Sequence, residues 1–358
     1  MLQEPIVFPY YEFSGTYREI GRQYGEACRD QMKHMIDWWY ENLAPIMPDT
    51  PVAKMVEASA AFGEPIKEYA EDLYDELVGI AEGSGLSMNE VLFLQGSFEL
   101  DVAGPFYLGG CTSYAASGKA TKYGQTIAGQ HFDWYTKSDN VIMRVKPDKG
   151  YGFLGITLAG QLCQFGISEA GVGHFANVLG YPKCQVGVPT VVVAQNVLRQ
   201  KNLPDAIRAI TQAKNAVSVN QMMADKDGAI IDVEATPVKC GIVLPDRDIL
   251  THSNHFLTHY LQPDDLGDQT SFPDTFLRQY RLKQLMEDHR GEITVETMME
   301  VMGDHRGYPD SICRHMDMTG PAWERFETTM AMVSLPGEGK MYISSRPCDG
   351  GGYKLYTI

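Results

Sequence analysis

The chain has 358 residues, of which 44% are hydrophobic, so it can bury a large core within one compact unit. A formal net charge of −16 and a pI near 5.0 argue against nucleic acid or anionic lipid as partners, because an acidic protein repels phosphate groups. No run approaches the roughly 20 consecutive apolar residues of a membrane span, and the N-terminus lacks the layout of a secretory signal, so we expect a cytoplasmic protein.

The first hundred residues are predicted to be helical. Apolar residues recur at helical spacing over residues 17–43, which predicts one long helix with a single buried face. A second helix covers residues 66–80, and Gly83 is placed to stop it. Ser87 and Glu90 then form an S-x-x-E capping box, which starts a further helix.

Short alternating or apolar runs replace the helical pattern from about residue 108 onward. They predict strands at 127–134, 141–145, 153–158, 162–167, 229–234 and 249–254, and a closing hairpin over 329–344. Helices return at 191–199, 204–213, 274–286 and 294–302. Helices segregated from antiparallel strands indicate a layered α+β fold.

Seven cysteines are spread along the chain without any CxxC pair. An odd number at such spacing indicates neither a disulfide framework nor a zinc ribbon. We therefore expect mostly buried, inert thiols in a reducing compartment, at Cys28, Cys111, Cys163, Cys184, Cys240, Cys313 and Cys348.

Two glycines precede Cys111 where the helical part meets the first strand. Consecutive glycines allow the strained backbone that a cleavable peptide bond requires. Attack of the Cys111 sulfur on the Gly110 carbonyl would free the α-amine of Cys111, whose reference pKa of about 7.7 to 8 suits it to accept the thiol proton. By itself, Gly-Gly-Cys is more often a turn followed by a small buried residue, so this prediction depends on the residues after Cys111.

Those residues strengthen the prediction for Cys111. If a strand begins there, its period of two places Ser113 on the same face. Asp133 lies in the next half-buried strand, where aspartate is uncommon, so a specific partner is expected. The alternative for Asp133 is a carboxylate at a sheet edge or a turn.

Five ordered blocks carry a resemblance to a known family. They are SGTYREIGRQYGE near the start, GCTSYAAS around Cys111, TIAGQHFDW on the next strand, THSNHF at 251–256 and DSICRH at 310–315. The chain resembles the isopenicillin N acyltransferase family of self-processing N-terminal-nucleophile enzymes. The resemblance implies an αββα sandwich, autoproteolysis into residues 1–110 and 111–358 that stay together, and cleavage of amide bonds, with acyl transfer in some members.

The resemblance also implies site residues. Cys111 matches the nucleophile and Ser113 the hydroxyl two positions later. Asp133 matches the strand aspartate that orients the nucleophile region, and Asn254 matches the asparagine that completes the oxyanion hole. His131 departs from the family, which often has asparagine there. The family's C-terminal arginine has no clear counterpart, although Arg325 is nearby in sequence.

The remaining expectations concern substrate and alternatives. Proximity to the junction suggests that an acyl pocket involves Phe106, Tyr107, Tyr114 and His131. We expect a small-molecule acyl amide as substrate and neither cofactor nor metal. The sequence allows a homo-oligomer but does not predict one. The alternatives are a hydrolase without transfer activity, similar to penicillin or bile-salt acylases, a non-catalytic binding protein, and a metal site at His252 and His255, joined by His259, Cys313 or His315.

Overall fold

Four layers, helix, sheet, sheet and helix, make up the computed structural model, which describes residues 7–44, 50–102, 110–266, 273–319 and 325–358. Within those ranges the strands form two sheets that face each other, since β2 and β3 of one contact β7 and β8 of the other. The first sheet runs β1-β4-β5-β6-β7-β8-β9-β10, and the second runs β11-β2-β3-β12-β13-β14. This arrangement confirms the predicted αββα sandwich.

The eight-stranded sheet is antiparallel apart from one edge, where β1 pairs with β4 in parallel. Its strands are Tyr10–Gly15 (β1), Asn140–Pro147 (β4), Phe153–Leu158 (β5), Phe165–Ser168 (β6), Val172–Val178 (β7), Val219–Asp225 (β8), Ile230–Ala235 (β9) and Cys240–Val243 (β10). The first strand of the helical N-terminal part thus belongs to a sheet otherwise built from residues after 110.

The six-stranded sheet carries Gly110 and Cys111 at the start of β2. Its strands are Gly110–Ala116 (β2), Ile127–Trp134 (β3), Ile249–His252 (β11), Glu327–Leu335 (β12), Lys340–Ser345 (β13) and Lys354–Thr357 (β14). Every residue of β2 and β3 is buried, because both strands are covered by a sheet on one face and by helices on the other.

Two helical layers cover the outer faces of the sheets. One helical layer covers the eight-stranded sheet and contacts it through its first, seventh and eighth helices. The helices of this layer are Tyr17–Ala27 (α1), Arg29–Leu43 (α2), Val52–Ser59 (α3), Gly63–Tyr69 (α4), Glu71–Ser84 (α5), Met88–Val102 (α6), Thr190–Leu198 (α7) and Leu203–Gln212 (α8). Against the six-stranded sheet lie Asp274–Asp288 (α9) and Val295–Met302 (α10). The capping box of Ser87 and Glu90 is confirmed at the start of α6, where Ser87 N–H donates to the Glu90 carboxylate over 2.7 Å.

The helical prediction for the first hundred residues was wrong in four places, the first being strand β1, which lies within them. Residues 17–43 form two helices that break at Cys28, where φ is −116° and ψ is 23°. The helix predicted over 66–80 breaks at Ala70 into α4 and α5. Gly83 lies inside α5 and serves packing, because a Cβ there would sit 2.1 Å from the carbonyl oxygen of Arg22 on α1; the left-handed residue that ends α5 is Gly85.

The cysteines also depart from the prediction. Cys313 and Cys348 form a disulfide, although they are 35 residues apart in sequence and share no recognisable motif. Cys28, Cys111 and Cys163 are buried free thiols, as expected, whereas Cys184 is exposed. None of the helices in the described ranges combines the length and apolar character that a bilayer crossing requires.

Candidate active site

Cys111 is the second residue of β2, between β11 and β3, and is only 4% exposed. Strand alternation places its side chain and that of Ser113 on the face turned toward the eight-stranded sheet. The Ser113 hydroxyl accordingly donates to Asn177 Oδ1 on β7 over 2.5 Å. The structure therefore brings Cys111 and Ser113 to one face, as the sequence predicts.

The backbone of Cys111 is held on both sides. Its N–H donates to Asn254 Oδ1 over 2.9 Å. Its carbonyl oxygen accepts from Ser253 Oγ at 3.1 Å and from Arg278 Nη1 at 2.7 Å. Strand β11 ends at His252, two residues earlier than predicted, so Ser253 and Asn254 lie in the turn after it.

Arg278 on α9 is a site residue that the sequence analysis missed. Its side chain is 2% exposed, and it also donates to Thr112 Oγ1 at 2.8 Å and to Asn254 Oδ1 at 3.0 Å. Asp274, one helical turn earlier, accepts from Arg278 Nε at 2.7 Å. An Asp and an Arg spaced i,i+4 on a predicted helix were the available signal, but this spacing is also common on exposed helix faces.

Asp133 lies directly opposite Gly110 across the β2–β3 ladder. Its Oδ1 accepts from Thr328 Oγ1 over 2.6 Å, and its Oδ2 lies 3.8 Å from Arg314 Nε. A Cβ added to Gly110 would sit 2.8 Å from Asp133 Oδ2. Glycine at position 110 therefore lets the carboxylate approach the backbone immediately before Cys111.

Arg314 is a second buried arginine that the sequence analysis missed. It belongs to the DSICRH block, is 4% exposed, and forms ion pairs with Asp274 and with Asp310, the latter at 2.8 Å. Its guanidinium links the Asp133 and Asp274 carboxylates on the outer face of the six-stranded sheet. Arg325, the nearest candidate in sequence, instead has its Nη2 3.5 Å from the Met318 carbonyl oxygen.

The electrostatic environment keeps the Cys111 thiol protonated in the uncut chain. Burial raises the pKa of Cys111, the negative charge of Asp133 raises it further, and the Arg278 cation only partly opposes both. For Asp274, burial acts to raise the pKa, but the Arg278 and Arg314 cations outweigh it and lower the pKa. The thiol thus needs a proton acceptor before it can act as a nucleophile.

The two candidate acyl-pocket residues that the structure describes, Tyr114 and His131, do not lie at the Cys111 side chain. Tyr114 and His131 are fully buried on the opposite face of the sheet. The Tyr114 hydroxyl donates to the Met332 carbonyl, and His131 Nδ1 lies 3.1 Å from the Ile312 carbonyl oxygen. Phe106 and Tyr107 lie outside the described residues.

Three residues of the alternative metal site have other partners. His252 Nε2 lies 2.9 Å from Glu234 Oε1, His255 Nδ1 lies 2.9 Å from Thr275 Oγ1, and Cys313 is disulfide-bonded. In the part of the chain that the structure describes, no group of three or more His, Cys, Asp or Glu side chains converges on a point that suits a metal ion. These contacts do not support the metal alternative.

A pocket of about 620 Å³ opens on the α9 side of the sheet and reaches Arg278 and Asp274. Arg278, which donates to the Cys111 carbonyl, and its partner Asp274 therefore border this pocket. Other residues lining this pocket are Leu277, Tyr280, Arg281, Arg306, Asp310 and Ile312.

Comparisons with known proteins were made for the sequence and for the fold. The acyl-coenzyme A:6-aminopenicillanic acid acyl-transferase family matches residues 120–346, more than half of the chain, although this range begins after Cys111. The 40 kDa form of acyl-coenzyme A:6-aminopenicillanic-acid-acyltransferase from Emericella nidulans is 24% identical over 305 residues, covering 84% of this chain and 83% of that protein.

One solved structure shares the layered architecture at low sequence identity. A variant of the conjugated bile acid hydrolase from Clostridium perfringens superposes with a TM-score of 0.51 at 15% identity, covering 69% of this chain and 97% of that one. Penicillin V acylase from Agrobacterium tumefaciens gives a TM-score of 0.47 at 15% identity over 66% of this chain and 83% of that one. Because the family match spans residues 120–346, more than half of the chain, the chain belongs to the acyl-coenzyme A:6-aminopenicillanic acid acyl-transferase family.

Proposed function

We propose that this protein is a self-cleaving cysteine enzyme that cuts an acyl-amide bond through a Cys111 acyl-enzyme. The observation that carries the proposal is the set of hydrogen bonds to the Cys111 backbone, whose N–H and carbonyl are both bonded by buried side chains. The Asp133 carboxylate also lies close to Gly110. Such fixation is stronger than a small buried cysteine at a turn requires.

The first chemical step is autoproteolysis. The Cys111 sulfur attacks the Gly110 carbonyl carbon, a C–S bond replaces the Gly110–Cys111 C–N bond, and the thiol proton passes to the departing nitrogen. Water then opens the thioester to give the Gly110 carboxylate and restore the thiol. Asp133, opposite Gly110, is positioned to orient this region.

Cleavage supplies the missing proton acceptor. The new α-amine of Cys111, with a reference pKa of about 7.7 to 8, is partly unprotonated at neutral pH and can accept the proton of its own thiol. Asn254 Oδ1, which accepts from the Cys111 N–H in the uncut chain, would hold the same nitrogen as an amine. Ser113 and Asp133 would keep the nucleophile's surroundings fixed.

The acyl-transfer step uses the same residues. The Cys111 thiolate attacks the substrate carbonyl, the amine leaves with a proton, and water or a second amine resolves the acyl-enzyme. The Asn254 side-chain amide is the proposed oxyanion donor. Its Nδ2 donates to the Val178 carbonyl over 3.1 Å in the structure, so it is already directed at the strand beside the nucleophile.

The two segments are proposed to stay together after the cut. Strand β1 pairs with β4, and Gln95 on α6 donates to the Gly160 carbonyl and accepts from the Leu162 N–H. Residues 1–110 therefore share a sheet and a core with residues 111–358.

The relatives act on acyl amides, as conjugated bile acid hydrolase and penicillin V acylase, or transfer acyl groups, as the Emericella nidulans protein. We propose a small-molecule acyl amide as the substrate class, with water or an amine as the acyl acceptor. The cytoplasmic location expected from the sequence stays a prediction, and the Cys313–Cys348 disulfide favours an oxidising compartment instead.

Denaturing mass spectrometry of the purified protein tests the proposal. For the parent chain we expect two fragments, residues 1–110 and 111–358, and for Cys111→Ala one intact chain. Cys184→Ala, which removes an exposed free thiol, is the matched control and should be cleaved normally. An intact, inactive parent chain would favour the non-catalytic binding protein. Acyl-donor assays with and without a competing amine then separate transfer from hydrolysis.

A further inference from the structure

Two rows of polar side chains cross the interior of the sandwich and meet face to face. In each sheet, the three residues of a row lie on neighbouring strands and are directly opposite one another in the strand pairing. All six side chains are fully buried, and we call them the polar seam: Gln130, Ser113 and His252 in the first row, and Asn177, Asn220 and Glu234 in the second.

Hydrogen bonds join the two sheets at three points of the polar seam. Gln130 Oε1 accepts from the Ala176 N–H at 2.8 Å, and Ser113 bonds Asn177. At the far end His252 Nε2 donates to Glu234 Oε1 over 2.9 Å. Buried polar groups are stable where they are hydrogen-bonded, so these three contacts hold the two sheets in a fixed relation at this position.

The His252–Glu234 contact is a buried ion pair. Burial opposes protonation of His252, but the Asp232 and Glu234 carboxylates outweigh it and raise the pKa of His252 to about 9. Burial likewise acts to raise the pKa of Glu234, yet the bonds from His252 and from backbone N–H groups lower it. Asp232, on the same face of β9, accepts from Asn220 Nδ2 at 2.6 Å, and its pKa is raised to about 6 by burial.

Glu234 is hydrogen-bonded to the chain both before and after the turn that contacts Cys111. Before the turn it binds His252, the last residue of β11. After the turn it accepts from the Leu257 N–H at 2.5 Å and from the Thr258 N–H at 2.9 Å. Between these anchors lie Ser253 and Asn254, the two residues that bond the Cys111 carbonyl and N–H.

We propose that Glu234, through its ion pair with His252 and its bonds to the 257–258 backbone, is a positioning residue that holds the Ser253–Asn254 turn against Cys111. It touches neither the scissile bond nor the sulfur, and it acts through the turn. This inference rests on the proposed function for its kinetic consequence, but its structural consequence is independent of any chemistry.

The first test uses the Cys111→Ala background, in which the proposed cut cannot occur. Amide hydrogen exchange is compared for Glu234→Gln and for Asp227→Asn, a control that removes an exposed carboxylate from the turn between β8 and β9. Glu234→Gln should speed exchange at 257 and 258 and also at position 111, each by about tenfold, the size expected for loss of one charge-assisted hydrogen bond. Faster exchange at 257 and 258 with position 111 unchanged would overturn the proposal.

A second variant covers the case in which Glu234→Gln does not fold. Glu234→Asp keeps the charge beside His252 but shortens the side chain by one methylene, so it cannot reach His252 and the 257–258 amides together. The same three-site pattern of faster exchange is expected. Parent-like exchange at position 111 in this variant would refute a positioning role.

The kinetic arm restores Cys111. Glu234→Gln should slow the appearance of the 110/111 fragments and lower kcat by about tenfold, with KM within about twofold, because the lost contact orients the reacting groups and does not bind substrate. A parent chain that cuts, beside a Glu234→Gln chain that cuts equally fast, would contradict the inference. A parent chain that never cuts would instead defeat the proposed function, and the exchange arm would still decide the role of Glu234.

Discussion

The two faces of β2 control different parts of the same residue. On the face turned to the eight-stranded sheet lie the Cys111 sulfur and Ser113, bonded into the polar seam. On the outer face lie Gly110 and Thr112, beside the arginines and carboxylates of α9 and the 310–314 loop. The inner face therefore surrounds the Cys111 sulfur, whereas the outer face and the Ser253–Asn254 turn bond the Cys111 backbone.

The two faces of β2 also differ in the charged groups that they carry. The outer face brings two arginines and three carboxylates within contact of one another, so that Cys111 receives a cationic donor without an unpaired buried charge. The inner face near the sulfur holds mainly neutral groups, and burial there favours the protonated thiol, which the proposed cleavage would relieve by creating an amine. Single substitutions can therefore perturb one face at a time.

Arg278→Met should have the largest effect, because it strips the outer face of its central cation. It leaves Asp274 with only Arg314 and removes a donor from the Cys111 carbonyl, so we expect loss of cleavage and destabilisation by about 3–5 kcal/mol. Urea unfolding and fragment analysis measure the two effects. Arg281→Met, which breaks a more exposed pair with Asp304 on the same helix, is the control and should cost about 1 kcal/mol or less. Equal effects of the two variants would show that Arg278 has no special role.

Asn254→Asp separates holding from oxyanion binding. The carboxylate keeps an oxygen for the Cys111 nitrogen and for Arg278 but loses the amide donor. If cleaved enzyme is obtained, kcat should fall by about 10²–10³-fold, as when one oxyanion donor is removed, with a much smaller change in KM. Steady-state kinetics on the active acyl amide measure this, and an unchanged kcat would remove Asn254 from the oxyanion role.

Gly110→Ala tests the close approach of Asp133 to the proposed cleavage site. The new Cβ would meet Asp133 Oδ2 at 2.8 Å, which forces the carboxylate or the backbone to shift. We expect cleavage slowed by about tenfold, the cost of roughly 1.4 kcal/mol in orientation. Gly352→Ala, where a Cβ would meet nothing within 4 Å, is the matched control. A time course of fragment appearance at full speed in Gly110→Ala would refute the argument.

Much of this site could be predicted from the sequence, and the parts that could not have physical reasons. Strand periodicity places Cys111 and Ser113 on one face, and the unusual strand aspartate, Asp133, has the specific partners expected of it. Periodicity also predicted α9 but not which of its arginines faces inward, because Arg278 bonds the Cys111 carbonyl and Thr112, which lie more than 160 positions away in the sequence.

The missed elements have similar causes. Strand β1 was taken as part of a helical region because its pairing with β4 is a long-range contact that no local pattern records. The break at Cys28 interrupts an apolar stripe that is itself continuous, so the spacing of buried residues could not reveal it. Tyr114 and His131 were candidates by proximity in sequence, whereas alternation turns both away from the Cys111 side chain.

The last expected effect concerns the polar seam and appears as a change of stability with pH. The pKa of His252 is about 9 in the folded chain and about 6.5 in a disordered one, so folding favours its protonated form. Its contribution to stability is therefore complete below about pH 6.5 and is lost as pH rises through 9. Buried thiols such as Cys28, whose pKa burial raises to about 12, also weaken folding above their unfolded pKa of about 8.5. Comparing Cys111→Ala with Cys111→Ala/His252→Gln cancels that contribution. Urea midpoints should fall more steeply between pH 6.5 and 9 for the chain that keeps His252, and parallel curves would mean that its charge does not stabilise the fold.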